Sequence, residues 1–258
     1  MLKRIVSYNV NGLRSAMQKG LEDFLKGQNF DLVCFQETKM DRSFENPDLF
    51  SSLGYKAYWH CAEKKGYSGV LTLSREIPDA VHYGCGMETY DREGRVIRLD
   101  FGEWSVVNAY FPSGSVSEER HAFKMRFLQD FYPWIEDLLK SRPKTILVGD
   151  YNIVHLALDI HNPDRKDNPS GYRPEERAWM DEWFGTLFDD AFRCVRPEAQ
   201  EFSWWSYRAG SYQKNKGWRI DYQSISKPFG HLVEDYRHHR DIRFSDHCPV
   251  EAVYRLKG

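Results

Sequence analysis

Three short runs in this 258-residue chain are apolar at almost every position: Ile5-Val6-Ser7-Tyr8, Asp31-Leu32-Val33-Cys34-Phe35 and Thr145-Ile146-Leu147-Val148. A strand with one face in water alternates apolar and polar residues, whereas a strand covered on both faces does not. Each run stops in a polar cluster: Asn9-Val10-Asn11-Gly12, Gln36-Glu37-Thr38-Lys39 and Gly149-Asp150-Tyr151-Asn152. Between the first two runs, Leu13, Met17, Leu21, Phe24 and Leu25 fall at helical spacing. Strand, helix and buried strand in that order constrain the chain to a layered α/β class. In such sheets ligands sit beyond the strand ends, where the polar clusters lie.

The rest of the chain supplies more of both elements. Residues 55 to 59 and 70 to 73 read as strands, and residues 96 to 101 with 104 to 110 as a hairpin about Gly102-Glu103. Residues 118 to 139 predict a long helix entered at Ser117, with Pro133 expected to kink or break it. A polar segment from residue 159 to 174 is too long for a plain connection and predicts a functional or mobile loop. A helix over residues 174 to 187, an aromatic stretch from Phe202 to Arg208 and a last strand over residues 250 to 254 complete the pattern. No repeat or linker divides it, so the expectation is a single domain over residues 1 to 258.

Composition removes several classes. Hydrophobic residues are 41% and charged residues 29%, a globular mixture. No apolar run approaches the ~20 residues of a membrane helix, and the start has no long apolar stretch of a signal peptide. The five cysteines are widely spaced, unlike a zinc knuckle or disulfide framework, so a reduced cytoplasmic compartment is expected. The net charge of −2 neither favours nor excludes a polyanionic partner, which needs only a locally basic rim.

The polar residues at strand ends make one chemical set: Asn9, Asn11, Glu37, Tyr110, Asp150, Asn152, Asp221 and the pair Asp246-His247. Each alone has a structural explanation, such as a turn Asn, a loop acid, a helix cap or, for Asp221, an ion pair with Arg219 or another base. Together they suit an oxygen-ligated cation such as Mg²⁺ beside an acid–base site. Glu37 is the first choice of ligand, with Asp246 and Asn9 near it. Asp150 suits the alignment or deprotonation of water, and Asn152 its positioning. His247, oriented by Asp221, suits donation to a phosphate oxygen, and Tyr110 a further hydrogen bond or proton. Trp204 and Trp218, among Arg208, Lys214, Lys216 and Arg219, suit a wall for an extruded nucleotide; Trp205 is divided evenly between that role and the core. Lys64, Lys65 and Tyr67, near Gly66 and Gly69, suit backbone phosphate contacts.

The motifs Asn9-Val10-Asn11-Gly12-Leu13-Arg14, Gln36-Glu37-Thr38-Lys39, Gly66-Tyr67-Ser68-Gly69-Val70, Tyr110-Phe111-Pro112, Gly149-Asp150-Tyr151-Asn152, Trp218-Arg219-Ile220-Asp221-Tyr222 and Ser245-Asp246-His247 resemble, in order, the exonuclease III family of apurinic/apyrimidinic (AP) endonucleases. That resemblance implies a four-layer α/β sandwich of the DNase I-like kind, with two packed mixed sheets flanked by helices. It implies Mg²⁺-dependent incision of double-stranded DNA 5′ to abasic sites, with 3′-repair phosphodiesterase and 3′-to-5′ exonuclease activities, by a monomer; Mn²⁺ is able to substitute. Carried over by residue, Tyr110, Asp150, Asn152, Asp221 and His247 form the catalytic set, and Asn9, Glu37, Asp150, Asn152, Asp246 and His247 surround the metal. Asn11, Arg14, Lys39, Gly66, Tyr67, Ser113, Trp204, Arg208 and Trp218 contact DNA, with Leu156 near the abasic pocket. Ser113 stands where the family usually has Asn, and Asn11 where some members have Asp. The alternative from another class is a phosphatase or phospholipase of the same superfamily, acting on a small phosphate ester. A non-catalytic DNA-binding protein is disfavoured, because every catalytic position is filled.

Overall fold

The computed structural model describes residues 1 to 256. In chain order the elements are β1 (Leu2–Asn9), α1 (Leu13–Gln18), α2 (Leu21–Lys26), β2 (Leu32–Gln36), β3 (Lys56–His60), β4 (Val70–Ser74), β5 (Ala80–Tyr83), α3 (Glu88–Asp91), β6 (Val96–Phe101), β7 (Trp104–Tyr110), α4 (Glu118–Ser141), β8 (Lys144–Asp150), α5 (Pro174–Glu182), β9 (Phe188–Asp190), α6 (Ala191–Val195), β10 (Asp221–Ser226), β11 (Val233–His238) and β12 (Val250–Arg255). One sheet has the order β11-β12-β1-β2-β4-β3, the other β5-β6-β7-β8-β10-β9. Each is mixed: β1 and β2 pair in parallel in the first, β7 and β8 in the second, and the other pairings are antiparallel. The two sheets therefore share one topology, a central parallel pair flanked on each side by two antiparallel strands.

The near-continuous apolar strands are explained by burial on both faces. Ile5, Leu32, Cys34, Ile146 and Val148 point into the layer between the sheets, with Val106 and Ile225. Their neighbours Val6, Tyr8, Val33 and Phe35 face Leu13, Ala16, Leu21 and Leu25 of α1 and α2. Val107, Ala109 and Leu147 face Phe127 and Phe131 of α4 and Trp179 of α5. Helix, sheet, sheet and helix are stacked as four layers, the expected α/β sandwich.

Several local expectations needed correction. The helix over residues 13 to 25 is two helices, because Gly20 takes φ 103° between them. Pro133 does not break α4, which runs from Glu118 to Ser141. Pro133 and Gln129, whose carbonyl the proline leaves without a donor, are both exposed, so water can serve that carbonyl. Strands β5, β9, β10 and β11 and helices α3 and α6 were not anticipated. No helix among the described residues is long and apolar enough to cross a membrane.

Candidate active site

Strand register brings the site together. Tyr110 ends β7 opposite Asp150 at the end of β8, and Asp150 in turn lies opposite Asp221 at the start of β10. Three neighbouring strands thus place three of the expected site side chains in one row, within reach across the ladder. Asn9, at the end of β1 in the facing sheet, closes the row from the other side. Its Nδ2 donates to Asp150 Oδ2 at 2.8 Å and to Glu37 Oε2 at 3.1 Å. Strand alternation alone would send Glu37 to the helix layer with Phe35. Its left-handed backbone, φ 54°, turns it back into the cleft. Asn11, Lys39 and Asn152 share that conformation, with φ 46°, 53° and 54°.

Behind the row lies a polar layer between the sheets. Gln36 Nε2 donates to Ser7 Oγ and Asn108 Oδ1, and Asn108 Nδ2 donates to the carbonyls of Phe35 and Leu71. Gln223 Nε2 donates to the carbonyls of Ile5 and Val250 in the opposite sheet. Buried amides that span two sheets fix their spacing where the apolar core gives way to the cleft.

His247 lies between two buried acids. Its Nδ1 lies 2.8 Å from Asp221 Oδ2 and its Nε2 3.9 Å from Asp150 Oδ2. All three side chains are buried. Burial alone would lower the imidazole pKa, but Asp221, with Asp150 and Asp246, outweighs it and holds the ring protonated well above its usual range. Burial pushes the Asp150 carboxyl up, against the pull of His247. Asp150 Oδ1 accepts from the Asn152 backbone N–H at 2.8 Å and its Oδ2 from Asn152 Nδ2 at 3.1 Å. Burial, with Glu37 and Asp150 nearby, keeps the Tyr110 phenol neutral.

Asp246 faces the other way. Its Oδ1 accepts from Asn11 Nδ2 at 2.9 Å and its Oδ2 from Trp204 Nε1 at 3.0 Å. Burial would raise its pKa, yet His247, Asn11 and Trp204 hold it below the usual range. Lys39 Nζ lies 3.0 Å from Glu37 Oε1 and 2.6 Å from Asn11 Oδ1. This side therefore presents carboxylate oxygens already drawing a cation.

These groups open into a cavity of about 400 Å³ lined by Asn11, Glu37, Tyr110, Ser113, Asp150, Asn152, Trp204, Trp218, Asp246 and His247. The Trp204 and Trp218 rings meet edge to face at 5.7 Å. Trp205 is core, 1% exposed, and packs on Tyr212. Of the expected DNA contacts, Arg14, Lys39, Gly66, Tyr67 and Arg208 do not line the cavity, nor does Leu156. The Arg14 guanidinium lies over Phe44, and the Tyr67 hydroxyl is engaged by Arg95, Arg120 and Glu93. Ser113 Oγ pairs with Ser115 Oγ at 3.0 Å. Sequence reasoning missed Ile220, Ser115, Arg165, Pro169 and Ser170, which also line the cavity. Ile220 sits inside a motif already singled out, and Arg165 in the long polar segment expected to be a functional or mobile loop. Arg219, a suggested partner of Asp221, instead pairs with Asp159 at 2.7 Å and Asp190 at 2.6 Å beneath the Trp218 turn.

The profile of the Endonuclease/Exonuclease/phosphatase family matches residues 6 to 247. The chain is 38% identical over 255 residues to the exodeoxyribonuclease of Bacillus subtilis (strain 168), covering 98% of this chain and 100% of that one. It is 32% identical over 257 residues to the DNA-(apurinic or apyrimidinic site) endonuclease of Dictyostelium discoideum, covering 98% and 71%. The solved structure of an AP endonuclease from Archaeoglobus fulgidus superposes with a TM-score of 0.90 at 26% identity, covering 98% of this chain and all of that one.

Proposed function

The chain belongs to the endonuclease/exonuclease/phosphatase family, in its exonuclease III and AP endonuclease branch, and we propose that its cleft performs the phosphodiester hydrolysis of that branch through Tyr110, Asp150, Asn152, Asp221 and His247. It is a DNA-repair nuclease. The substrate we assign is double-stranded DNA with an abasic or 3′-blocked lesion, cut 5′ to the abasic site or trimmed at the 3′ end. Residues 1 to 258 act as one unit, since both sheets contribute to the cleft; all site groups come from one chain, which suits a monomer. Five free cysteines suit a reduced, cytoplasmic setting.

Enzymes of this family are metal-dependent, and the donor set here fits a hard divalent cation. Glu37 and Asp246 offer carboxylate oxygens beside an ammonium that already occupies part of that field. We assign the cation as Mg²⁺, held by Glu37 and Asp246 with Asn9 between Glu37 and Asp150; Mn²⁺ would substitute. When bound, it neutralises charge on the scissile phosphate and the leaving oxygen.

The chain's own groups do the rest. The observation that carries the reading is His247 held between Asp221 and Asp150 on the cleft floor. As an imidazolium, His247 donates to a non-bridging phosphate oxygen as charge builds there. Asp150, its carboxyl raised by burial, is a stronger base than a solvated Asp and takes the proton of the attacking water. Asn152, bonded twice to Asp150, fixes the direction of that carboxylate. Tyr110, kept neutral, donates a hydrogen bond from its hydroxyl to the phosphate. Trp204 and Trp218 wall the space for a sugar without a base and keep water from it.

A duplex with one abasic analogue, incubated with Mg²⁺ and with EDTA, tests this. Incision 5′ to the analogue with Mg²⁺ alone is expected; an uncut duplex in both conditions would sink the reading.

A further inference from the structure

We propose that Lys124 and Glu176, a buried ion pair behind the cleft, are positioning residues that lock Asn152 and the loop of residues 161 to 173 into one arrangement; this rests on the cleft being the phosphodiesterase site. Lys124 lies on α4 and Glu176 on α5, and both side chains are fully buried. Lys124 Nζ donates to Glu176 Oε1 at 2.6 Å and to the Asn152 carbonyl at 2.7 Å. Glu176 Oε2 accepts from the Gly171 and Arg173 N–H groups at 2.7 and 2.9 Å. Its Oε1 also accepts from Ser170 Oγ at 3.2 Å. One pair therefore grips a group that directs Asp150 and, on its other side, the loop that carries cavity-lining Pro169 and Ser170.

Adhesion does not account for this pair. Phe127 and Phe131 of α4 already pack with Trp179 of α5 and with Trp183 just after it. A buried ion pair carries a large desolvation cost, and a well-packed apolar pair often holds a core as well or better. Two charges with short, directed bonds instead set the position of what they touch. Asn152 needs that hold. Its backbone is left-handed, and any rotation would swing Nδ2 away from Asp150 and the Phe111 carbonyl. The loop packs on the same carbonyl. Gly171 has φ 97°, and a Cβ there would stand 3.0 Å from both the Asn152 oxygen and the Trp218 ring. Lys124 thus sits where the acid–base group and the pocket wall share one backbone atom.

The test is the double variant Lys124→Met/Glu176→Gln. It removes both charges and the bond to Asn152, and it leaves Gln an oxygen for the Gly171 and Arg173 N–H groups. Incision of the abasic duplex should keep its KM within about twofold and lose kcat by about tenfold or more. Amide exchange should quicken in peptides spanning residues 150 to 154 and 169 to 173 and stay unchanged in β6 and β7. A folded variant with kcat within about twofold of the parent, or with exchange raised evenly over the molecule, overturns the proposal. If the methionine form does not fold, Lys124→Arg takes its place: it keeps the charge pair and displaces the donor, so kcat should still fall, and full kcat overturns the proposal. A parent protein that leaves the duplex uncut would refute the reading of the cleft, and the exchange pattern alone would then decide on the lock.

Discussion

The two sheets have the same topology, yet they furnish the cleft differently. The β1–β2 side and its neighbouring loop bring Asn9, Asn11, Glu37, Lys39 and Asp246, whose carboxylates face Lys39, amides and an indole N–H. The β7–β8–β10 side brings Tyr110, Asp150 and Asp221, nearly out of reach of water, with His247 between the two acids. Under the proposed function, the same scaffold makes a holder of cations on one side and an acid–base group on the other. Partners supply the difference. Burial would raise both acids, but His247, Asn11 and Trp204 outweigh it at Asp246, whereas at Asp150 burial prevails over the pull of His247.

The largest effect should come from the buried side. His247→Asn or Asp150→Asn should cost about 3–5 kcal/mol of transition-state stabilisation, read as single-turnover incision, and added metal should restore none of it. Near-parental turnover in either would break the division of labour. Next comes a stability effect. The Asp159 carboxyl would be raised by burial, but Arg219 and Arg193 hold it below its ordinary range. A depressed carboxyl stabilises the fold above its unfolded pKa, and that contribution is lost as pH falls through its folded pKa. Melting temperature should therefore be level from neutral pH to about 5 and drop below about 4. Asp159→Asn should cost about 3 kcal/mol at neutral pH, since Arg219 would keep only Asp190. A parental melting curve would show that the support under Trp218 is not ionic.

Smaller effects belong to the open side. Glu37→Gln should raise the Mg²⁺ needed for half-maximal rate by about ten- to a hundredfold, with the maximal rate largely recovered at high metal. A loss that no metal concentration repairs would move Glu37 into the acid–base group. Trp204→Phe keeps a ring on the wall and removes the bond to Asp246, so it should cost about 1 kcal/mol in kcat/KM.

The sequence made legible whatever depended on local pattern. The buried strands β1, β2 and β8 stood out as short apolar runs, and their polar ends marked the cleft. Strand β5 was hidden because it is four residues at a sheet edge with His82 and Tyr83 exposed. Strand β11 was hidden by a register shift between Val233 and Asp235, which breaks its alternation. The supports were invisible for another reason. Lys124 meets Glu176 across 52 positions, and Gln36 meets Asn108 across 72. No periodicity announces a hydrogen bond between distant layers. Arg219 and Asp221 looked like candidates for each other, but each found a different partner once the strands were in register.

The left-handed residues at the strand ends have a consequence for engineering. Glu37, Lys39 and Asn152 hold a backbone shape that glycine would adopt without strain. Relief of that strain is set against glycine's extra chain entropy and the loss of the side-chain bonds to Asn11, Asp150 and the Phe111 carbonyl. Glycine there should leave the melting temperature little changed while cleavage falls, so a hardier variant should be sought by substitution elsewhere.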